Sequence, residues 1–185
     1  MAPQRKLIVL DRDGVINYDS DDYIKSPAEW VPLPGSLEAI ARLCGAGFEV
    51  YVVSNQAGIG RGLVAAEEVE RIHAKMRAAV KAAGGCLHGI YYCPHHPADR
   101  CACRKPNTGL LLELKAAAGL KSFAGVPLIG DKPSDLELAA RVGARGILVL
   151  SGKGRETAAE LPSRATETFR DLDEAVTVLL GEARA

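Results

Sequence analysis

Two aspartates follow a short apolar run near the start of the chain, in the stretch LDRDGVIN. Asp11 and Asp13 are two positions apart, so in extended backbone their side chains point to the same side. Gly14 allows the chain to turn sharply after them. Carboxylates this close repel each other unless a metal or a proton neutralises them. The pair therefore predicts either such a site or a turn in which both carboxylates bind backbone and water.

A third strand-end carboxylate favours the first interpretation. Asp131 ends the apolar run VPLIG, and Asp135 lies four residues further on. Together with Asp11 and Asp13, Asp131 would form an all-oxygen ligand set of the kind that Mg²⁺ prefers.

Two hydrogen-bond donors could complete a phosphate site beside these carboxylates. Ser54 lies at the end of FEVYVVSNQ, and Lys105 lies in CRKP. Each alone has an ordinary interpretation, Ser54 as a helix cap and Lys105 as a solvated surface lysine. Together they could bind the oxygens of a phosphoryl group.

The stretch YYCPHHPADRCACRKPNTG carries a second chemical pattern. Cys93, Cys101 and Cys103 lie close to His95 and His96. Three thiolates and one imidazole suit tetrahedral Zn²⁺ with no open position, which predicts a structural site. A disulfide is the weaker interpretation in a reducing compartment, and a redox C-x-x-C is absent. Either histidine could be the fourth ligand.

Other cysteines and histidines have simpler interpretations. Cys44 falls inside a predicted helix and suggests a core position. Cys86 and His88 precede a predicted strand and are not expected to bind the metal. His73, on a mostly charged helix, is expected to be solvated.

Strand-like and helical patterns alternate along the chain, which predicts an α/β fold: a doubly wound parallel sheet with helices on both faces. The strand patterns are KLIVL, FEVYVVSNQ, HGIYYC, GVPLIGD and RGILVL. The helical patterns are GSLEAIARLCGAG, AAEEVERIHAKMRAAVKAAGG, NTGLLLELKAAAGL, KPSDLELAARVGA and DLDEAVTVLL. Most of the candidate site residues lie at the carboxyl ends of predicted strands, which is the edge at which such sheets bind ligands.

Composition limits the classes of function. The chain has 185 residues with a formal net charge of zero, which argues against nucleic acid or membrane partners. The first apolar run is too short for a signal sequence or a membrane span, so a cytoplasmic location is expected. We expect residues 1–185 to form one domain and the protein to be a monomer.

The motifs DRDGV, SNQ, RKP and GDKPSD, in this order, resemble the four motifs of the haloacid dehalogenase-like phosphatases. The resemblance spans residues 6 to about 149. It implies that Asp11 is a nucleophile forming an aspartyl-phosphate and that Asp13 is the general acid and base. Ser54 and Lys105 would hold the phosphoryl oxygens. Mg²⁺ would bind Asp11, Asp131 and the backbone carbonyl of Asp13.

Members of this superfamily often carry a cap domain after the first motif or between the second and third. The 41 positions from Asp13 to Ser54, and the 51 from Ser54 to Lys105, leave no room for one. We therefore expect loops to shape the pocket, with the zinc loop at about 93–103 as a rigid wall.

The zinc loop with SNQAGIGRG and CRKP is similar to a subfamily of heptose 1,7-bisphosphate and histidinol phosphate phosphatases. The Cys-x-His pattern of that subfamily favours His95 as the zinc ligand. NQAGIGRG and GDK favour the heptose substrate over histidinol phosphate. The residues expected to bind the phosphoryl group or the sugar are Ser54, Asn55, Arg104, Lys105, Asn17, Asp19, Asp22 and Lys132.

Two further alternatives have specific arguments against them. DNA 3′-phosphatases share a similar NQ-x-G-I-x-R-G run, but this chain lacks their basic character. An inactive zinc-stabilised binding module would not need the repelling pair Asp11 and Asp13.

Overall fold

The strands and helices alternate as the sequence predicts. The computed structural model describes residues 6–161 and 166–182. Its strands are Lys6–Leu10 (β1), Phe48–Asn55 (β2), Gly89–Cys93 (β3), Pro127–Gly130 (β4), Arg145–Val149 (β5) and Glu167–Phe169 (β6). Its helices are Ser36–Gly45 (α1), Ala57–Gly60 (α2), Ala66–Ala82 (α3), Gly109–Ala118 (α4), Pro133–Val142 (α5), Gly154–Glu160 (α6) and Leu172–Glu182 (α7).

The strands form one sheet in the order β3-β2-β1-β4-β5-β6, and every neighbouring pair is parallel. The chain moves outward from β1 in one direction through β2 and β3, then returns to the other side of β1 at β4. This reversal makes the carboxyl ends of β1 and β4 the point where a doubly wound sheet opens a crevice. Asp11 and Asp131 follow these two strands directly.

Two apolar cores cover the two faces of the sheet. Alternate residues of β1 point to opposite faces, so Ile8 and Leu10 pack in one core, while Leu7 and Val9 pack in the other. Helices α1, α3 and α7 contribute to the first core, and α4 and α5 to the second. This arrangement confirms the predicted helix–sheet–helix layers.

The apolar periodicity of the sequence does not predict α2, α6 or β6. Helix α2 has only four residues, and β6 has only three, with two of them exposed. Helix α6 is polar and buries only Gly154 and Thr157. Such short or polar segments lack the apolar periodicity from which elements are predicted.

Neither insertion point carries a separate cap domain, as the spacing predicts. Within the described chain, residues 11–35 contain isolated bridges but no helix or strand. Residues 56–88 contain only α2 and α3. Among the helices of residues 6–161 and 166–182, none is long and apolar enough to cross a membrane.

Candidate active site

Three carboxylates meet at the carboxyl ends of β1 and β4. Oxygens of Asp11, Asp131 and Asp135 all lie within 4.8 Å of one another, and all three residues are buried. Burial and the nearby carboxylate of Asp11 raise the pKa of Asp131 to about 7. Burial also raises the pKa of Asp135, against the opposing effect of Lys105. The cluster can hold a divalent cation because its negative charges are close and shielded from water.

Two glycines make this cluster possible. A Cβ on Gly14 or on Gly152 would lie less than 3.0 Å from Oδ2 of Asp131. Both glycines also have positive φ, of 86° and 55°. The backbone can therefore surround the Asp131 carboxylate only because these two positions have no side chain.

Lys105 lies inside the acidic cluster. Its Nζ is 2.9 Å from Asp11 Oδ1 and 2.6 Å from Asp135 Oδ1. It also donates to the carbonyl of Val53 at 2.8 Å. Burial acts to lower the pKa of Lys105, but Asp11 and Asp135 outweigh it and raise that pKa. Lys105 is thus a buried cation next to the predicted nucleophile, not a solvated lysine.

Asn55 fixes the backbone that carries this lysine. Its Oδ1 accepts from the amide of Lys105 at 3.0 Å, and its Nδ2 donates to the carbonyl of Lys105 at 3.2 Å. The oxygen and the nitrogen of the Asn55 side chain, which was predicted to bind substrate, are therefore both hydrogen-bonded to the main chain. Ser54, beside it, is buried, and its Oγ accepts from Gln56 at 2.8 Å.

Lys132 lies over the other side of the cluster. Its Nζ is 3.1 Å from Asp131 Oδ1, 3.1 Å from Asp19 Oδ2 and 3.4 Å from the carbonyl of Asp13. Burial acts to lower the pKa of Lys132, but the carboxylates of Asp11, Asp131 and Asp19 outweigh it and raise that pKa. Lys132 therefore contacts two of the predicted magnesium ligands.

The Asp13 carboxylate is held by three side chains. Arg12 donates to both of its oxygens at 2.9 Å, Asn17 donates at 2.8 Å and Gln56 donates at 3.0 Å. Burial acts to raise the pKa of Asp13, but the Arg12 guanidinium and these hydrogen bonds lower it. The cation that neutralises this carboxylate is thus Arg12. Asn17, predicted to bind substrate, is buried against Asp13.

Asp11, Asp13, Ser54, Lys105 and Lys132 open into one cavity of about 340 Å³ at the carboxyl edge of the sheet. Asp19, Asn55 and Arg104 also line the cavity, but Asn17 and Asp22 do not. Asp22 is exposed at a turn, whereas the neighbouring Asp21 lines the rim and contacts Lys153 at 2.8 Å. Arg61 of the NQAGIGRG run lines the cavity as well, and the charged lining residues that the sequence did not single out are Asp21 and Lys153.

The predicted zinc ligands come together in the loop after β3. Nδ1 of His95 lies 3.1 Å from Cys103 Sγ, and Cys101 Sγ lies 3.5 Å from Cys93 Sγ and 3.4 Å from Cys103 Sγ. Tetrahedral Zn²⁺ with Zn–S bonds of about 2.3 Å places its ligands about 3.5–3.8 Å apart, so the set fits the metal. Burial acts to raise the pKa of Cys101, but hydrogen bonds with Cys103 and Cys93 lower it to about 7.

His96 has a different role. Its Nδ1 accepts from the amide of Ala98 at 3.0 Å and caps the 3₁₀ turn Pro97–Asp99. The structure thus brings His95 and not His96 to the three thiols. Cys86 and His88 lie outside the cluster, as expected.

His73 is not solvated, and that expectation is wrong. It is 3% exposed, and Nη1 of Arg12 lies 3.3 Å from its Nε2. Burial, followed by the charge of Arg12, lowers the pKa of His73 to about 3. Val69, His73, Met76 and Val80 are spaced by four, three and four residues, so the helix period did place His73 on the buried side.

Known families and proteins resemble the chain along most of its length. The polynucleotide kinase 3 phosphatase family matches residues 6–125, and the HAD-hydrolase-like family matches residues 102–175. A D-glycero-beta-D-manno-heptose-1,7-bisphosphate 7-phosphatase of Pseudomonas putida is 48% identical, covering 90% of this chain and 95% of that protein. A D-glycero-alpha-D-manno-heptose-1,7-bisphosphate 7-phosphatase of Mycobacterium bovis is 38% identical, covering 74% of this chain and 73% of that protein.

A solved structure agrees with these sequence matches. The D,D-heptose 1,7-bisphosphate phosphatase of B. bronchiseptica, complexed with magnesium and phosphate, has a TM-score of 0.91 and 46% identity, with 96% of this chain and 99% of that chain covered. The sheet topology and the carboxylate–lysine cluster agree with the same assignment. The chain belongs to the haloacid dehalogenase-like hydrolases, in the family of the D-glycero-D-manno-heptose-1,7-bisphosphate 7-phosphatases.

Proposed function

We propose that the protein is a phosphomonoesterase that removes the 7-phosphate of D-glycero-D-manno-heptose 1,7-bisphosphate and leaves the 1-phosphate. The observation that carries this proposal is the buried lysine 2.9 Å from Asp11, within an acidic cluster that opens into a charged cavity. The five relatives at 44–48% identity are named for the beta anomer, which favours the beta substrate. The product would feed nucleotide-heptose synthesis, and a cytoplasmic location remains our prediction.

Asp11, Asp131 and the backbone carbonyl of Asp13 are the proposed ligands of Mg²⁺. The fit rests on the close oxygens of Asp11 and Asp131 and on Lys132, whose ammonium already lies against Asp131 and the Asp13 carbonyl. When bound, Mg²⁺ would neutralise charge on the phosphoryl oxygens.

The residues of the chain supply the covalent steps of the proposed mechanism. A carboxylate oxygen of Asp11 attacks phosphorus, and the bond between phosphorus and the C7 oxygen breaks. Asp13 enters this step protonated, with a proton taken from solvent, and gives it to that oxygen, so the sugar leaves as an alcohol. Asp13 then takes a proton from water as the water attacks phosphorus, which releases phosphate and restores Asp11. Splitting the displacement in this way lowers each barrier.

Lys105 and Ser54 are placed to bind the transferring group. Lys105 already contacts Asp11, so its ammonium can stabilise charge that develops on the phosphoryl oxygens. The hydroxyl of Ser54 accepts from Gln56 and can donate its own proton to a phosphoryl oxygen. Lys132 can leave Asp131 when the metal binds and contact substrate instead.

The rim of the cavity would bind the rest of the bisphosphate. Nη1 of Arg104 is buried without a hydrogen-bond partner among the described residues, so this guanidinium has a free donor. A bidentate contact with the 1-phosphate would satisfy it. Asp19 lines the same cavity and can accept from sugar hydroxyls. Asp22 would need movement of its turn to do so.

The Cys/His cluster is proposed to hold one structural Zn²⁺. All four ligands come from the protein, so no position remains for substrate. The cluster leads directly into Arg104 and Lys105, and Nδ2 of Asn107 donates to the carbonyl of Cys101 at 2.8 Å. The metal would therefore fix the loop that carries both cations.

Phosphate release from the heptose bisphosphate, histidinol phosphate and 3′-phosphorylated DNA tests this function. We expect Mg²⁺-dependent release with the highest kcat/KM on the heptose bisphosphate, and phosphorus NMR should detect only the 1-phosphate product. Asp11→Asn should abolish turnover without unfolding the protein. Loss of the anomeric phosphate, or faster histidinol phosphate hydrolysis, would overturn the substrate assignment. Failure to hydrolyse even an aryl phosphate would instead favour an inactive binding module.

A further inference from the structure

Two cysteines outside the Cys/His loop lie against each other. Cys44 lies near the end of α1, and Cys86 lies in the segment between α3 and β3. Sγ of Cys44 donates to the carbonyl of Cys86 at 3.3 Å and accepts from the amide of Cys86 at 3.2 Å. Neither thiol lines the catalytic cavity or belongs to the Cys/His cluster, and both are free. The proposed phosphatase reaction therefore leaves this pair without a use.

A glycine brings the two segments together. A Cβ on Gly85, the residue before Cys86, would lie 3.3 Å from Cα of Ala41 in α1. Ala41 and Cys44 are three positions apart, so they lie on the same side of the helix. The amide of Gly85 also donates to the carbonyl of Val80 at 2.9 Å, which ties the segment to the end of α3. The backbones of α1 and of the segment before β3 are therefore in direct contact beside the two cysteines.

The separation of the two cysteines suits a covalent bond between them. The N–Cα bond is about 1.46 Å long, so Cα of Cys86 lies within about 4.7 Å of the Cys44 sulfur, which is 3.2 Å from the Cys86 amide nitrogen. A disulfide joins residues whose Cα atoms are about 4.4–6.8 Å apart, and Cα of Cys44 is two bonds from its own sulfur. Cys86 is exposed, so its side chain is free to turn toward Cys44.

We propose that Cys44 and Cys86 form a modification site, at which a peroxide converts the two thiols to a disulfide. The site lies outside the phosphatase reaction, and the inference does not depend on the proposed function. In a reducing compartment the pair would stay as thiols until an oxidant arrives.

The exposed Cys86 reacts first, because burial raises the pKa of Cys44 and keeps that thiol protonated. The Cys86 thiolate attacks one oxygen of hydrogen peroxide, the O–O bond breaks and hydroxide leaves, so Cys86 becomes a sulfenic acid. The sulfur of Cys44 then attacks the Cys86 sulfur. The S–S bond forms as the S–O bond breaks, and the Cys44 proton goes to the departing hydroxide. In total the two thiols lose two electrons and two protons, and hydrogen peroxide becomes two waters.

The bridge would fasten the end of α1 to the segment that enters β3. It closes a loop over residues 45–85, which contains β2, α2 and α3. Joining positions that are 42 residues apart removes conformations from the unfolded chain and so stabilises the fold. We expect oxidation to raise the melting temperature by about 5–10 °C. Turnover should not change, because neither cysteine lines the cavity.

Peptide mapping after oxidation tests the site. Protein purified without chelators is treated with a single equivalent of hydrogen peroxide, alkylated and digested with trypsin. Trypsin leaves Cys44 in residues 43–61 and Cys86 in residues 82–100, which also contain Cys93, so fragmentation must locate the bridged sulfur. We expect one bridge, between Cys44 and Cys86, and dithiothreitol should remove it together with the rise in melting temperature.

Cys86→Ser and Cys44→Ser are the matched variants, and neither should form the bridge or gain stability with peroxide. Without peroxide, Cys86→Ser should melt at the wild-type temperature, because Cys86 is exposed and Cys44 contacts its backbone. If Cys44→Ser does not fold, Cys86→Ser decides alone. A bridge from Cys93, Cys101 or Cys103 would overturn the inference. Covalent dimers through Cys86, or a sulfinic acid at Cys86 without a bridge, would overturn it as well.

Discussion

Gly60 lies against the backbone of His96. A Cβ at Gly60 would be less than 3.0 Å from the amide nitrogen of His96 and from the carbonyl carbon of His95. Gly60 is the last residue of α2, the short helix that follows Ser54 and Gln56. The main chain of α2 therefore packs directly against the main chain of the Cys/His loop, at a position where a side chain would not fit.

Gly60→Ala should destabilise the protein by about 1–3 kcal/mol, because the backbone of the loop cannot yield as a flexible side chain would. Urea denaturation measures this loss, and elemental analysis should show weakened zinc retention. Gly45→Ala is the control, since a Cβ at Gly45 meets nothing within 4 Å at the end of α1. Equal stability of the two variants would contradict the close packing.

The zinc proposal predicts one tightly bound Zn²⁺ per chain in protein purified without chelators. Cys103→Ser should release it and lower both the melting temperature and turnover, because Arg104 and Lys105 lose their anchor. Cys86→Ser removes an exposed thiol outside the cluster and should change none of these. Zinc-free wild-type protein, fully folded and active, would end the proposal.

Lys105→Met should leave the carboxylates of Asp11 and Asp135 without their cation. We expect a loss of about 3–5 kcal/mol in the absence of metal, as for a buried pair with one partner removed. Mg²⁺ should then raise the melting temperature more in the variant than in the wild type. The variant should have no turnover, either with or without Mg²⁺. Equal Mg²⁺ shifts measured by differential scanning fluorimetry would argue against a shared electrostatic site.

His73 makes stability depend on pH. Its pKa is lowered from 6.5 to about 3, so between these values the unfolded chain binds a proton that the folded chain does not. Stability from this group is present above pH 6.5 and is lost as the pH falls toward 3. His73→Phe should therefore flatten the fall in unfolding free energy between pH 7 and pH 5, by about 1.4 kcal/mol per pH unit at most. Parallel curves for variant and wild type in urea titrations would show that His73 does not titrate in this range.

Arg104→Ala should affect the bisphosphate far more than a simple aryl phosphate. The buried Nη1 of Arg104 has no hydrogen-bond partner among the described residues and is free to bind the remote phosphate. Losing this bidentate contact should raise KM on the bisphosphate about 10- to 100-fold. Arg71→Ala, on the exposed side of α3 and away from the cavity, is the control. Equal effects on both substrates would place the remote phosphate elsewhere, with Arg61 and Lys153 as the next candidates.

The meeting of Asp11 and Asp131 could be predicted because the ends of neighbouring parallel strands converge whatever the details of the loops. Lys105 lies in the loop between β3 and α4, and its place beside them was implied by the family resemblance. The grouping of Cys93, His95, Cys101 and Cys103 followed from short sequence separation.

What could not be predicted depends on side-chain direction within loops. Asp21, not Asp22, lines the cavity, because the turn at these positions sends adjacent side chains apart. Asn55 binds the backbone of Lys105, which no sequence spacing reveals across 50 positions. The sequence also does not reveal that Arg12 is buried against Asp13 and Gln56, since charged residues are rarely buried without a specific partner.

Lys132 gives the acidic cluster an internal counter-ion before any Mg²⁺ arrives, since its ammonium lies on Asp131, Asp19 and the Asp13 carbonyl. We therefore expect the newly made chain to complete this end of the sheet in magnesium-poor conditions. In the zinc proposal, the thiols of the Cys/His loop would instead lose their protons to solvent as the metal binds, and only then would the loop be held together. The two metals would then matter at different stages in the life of the protein. Magnesium shortage would leave an intact but idle enzyme, whereas zinc shortage would lower the amount that survives proteolysis.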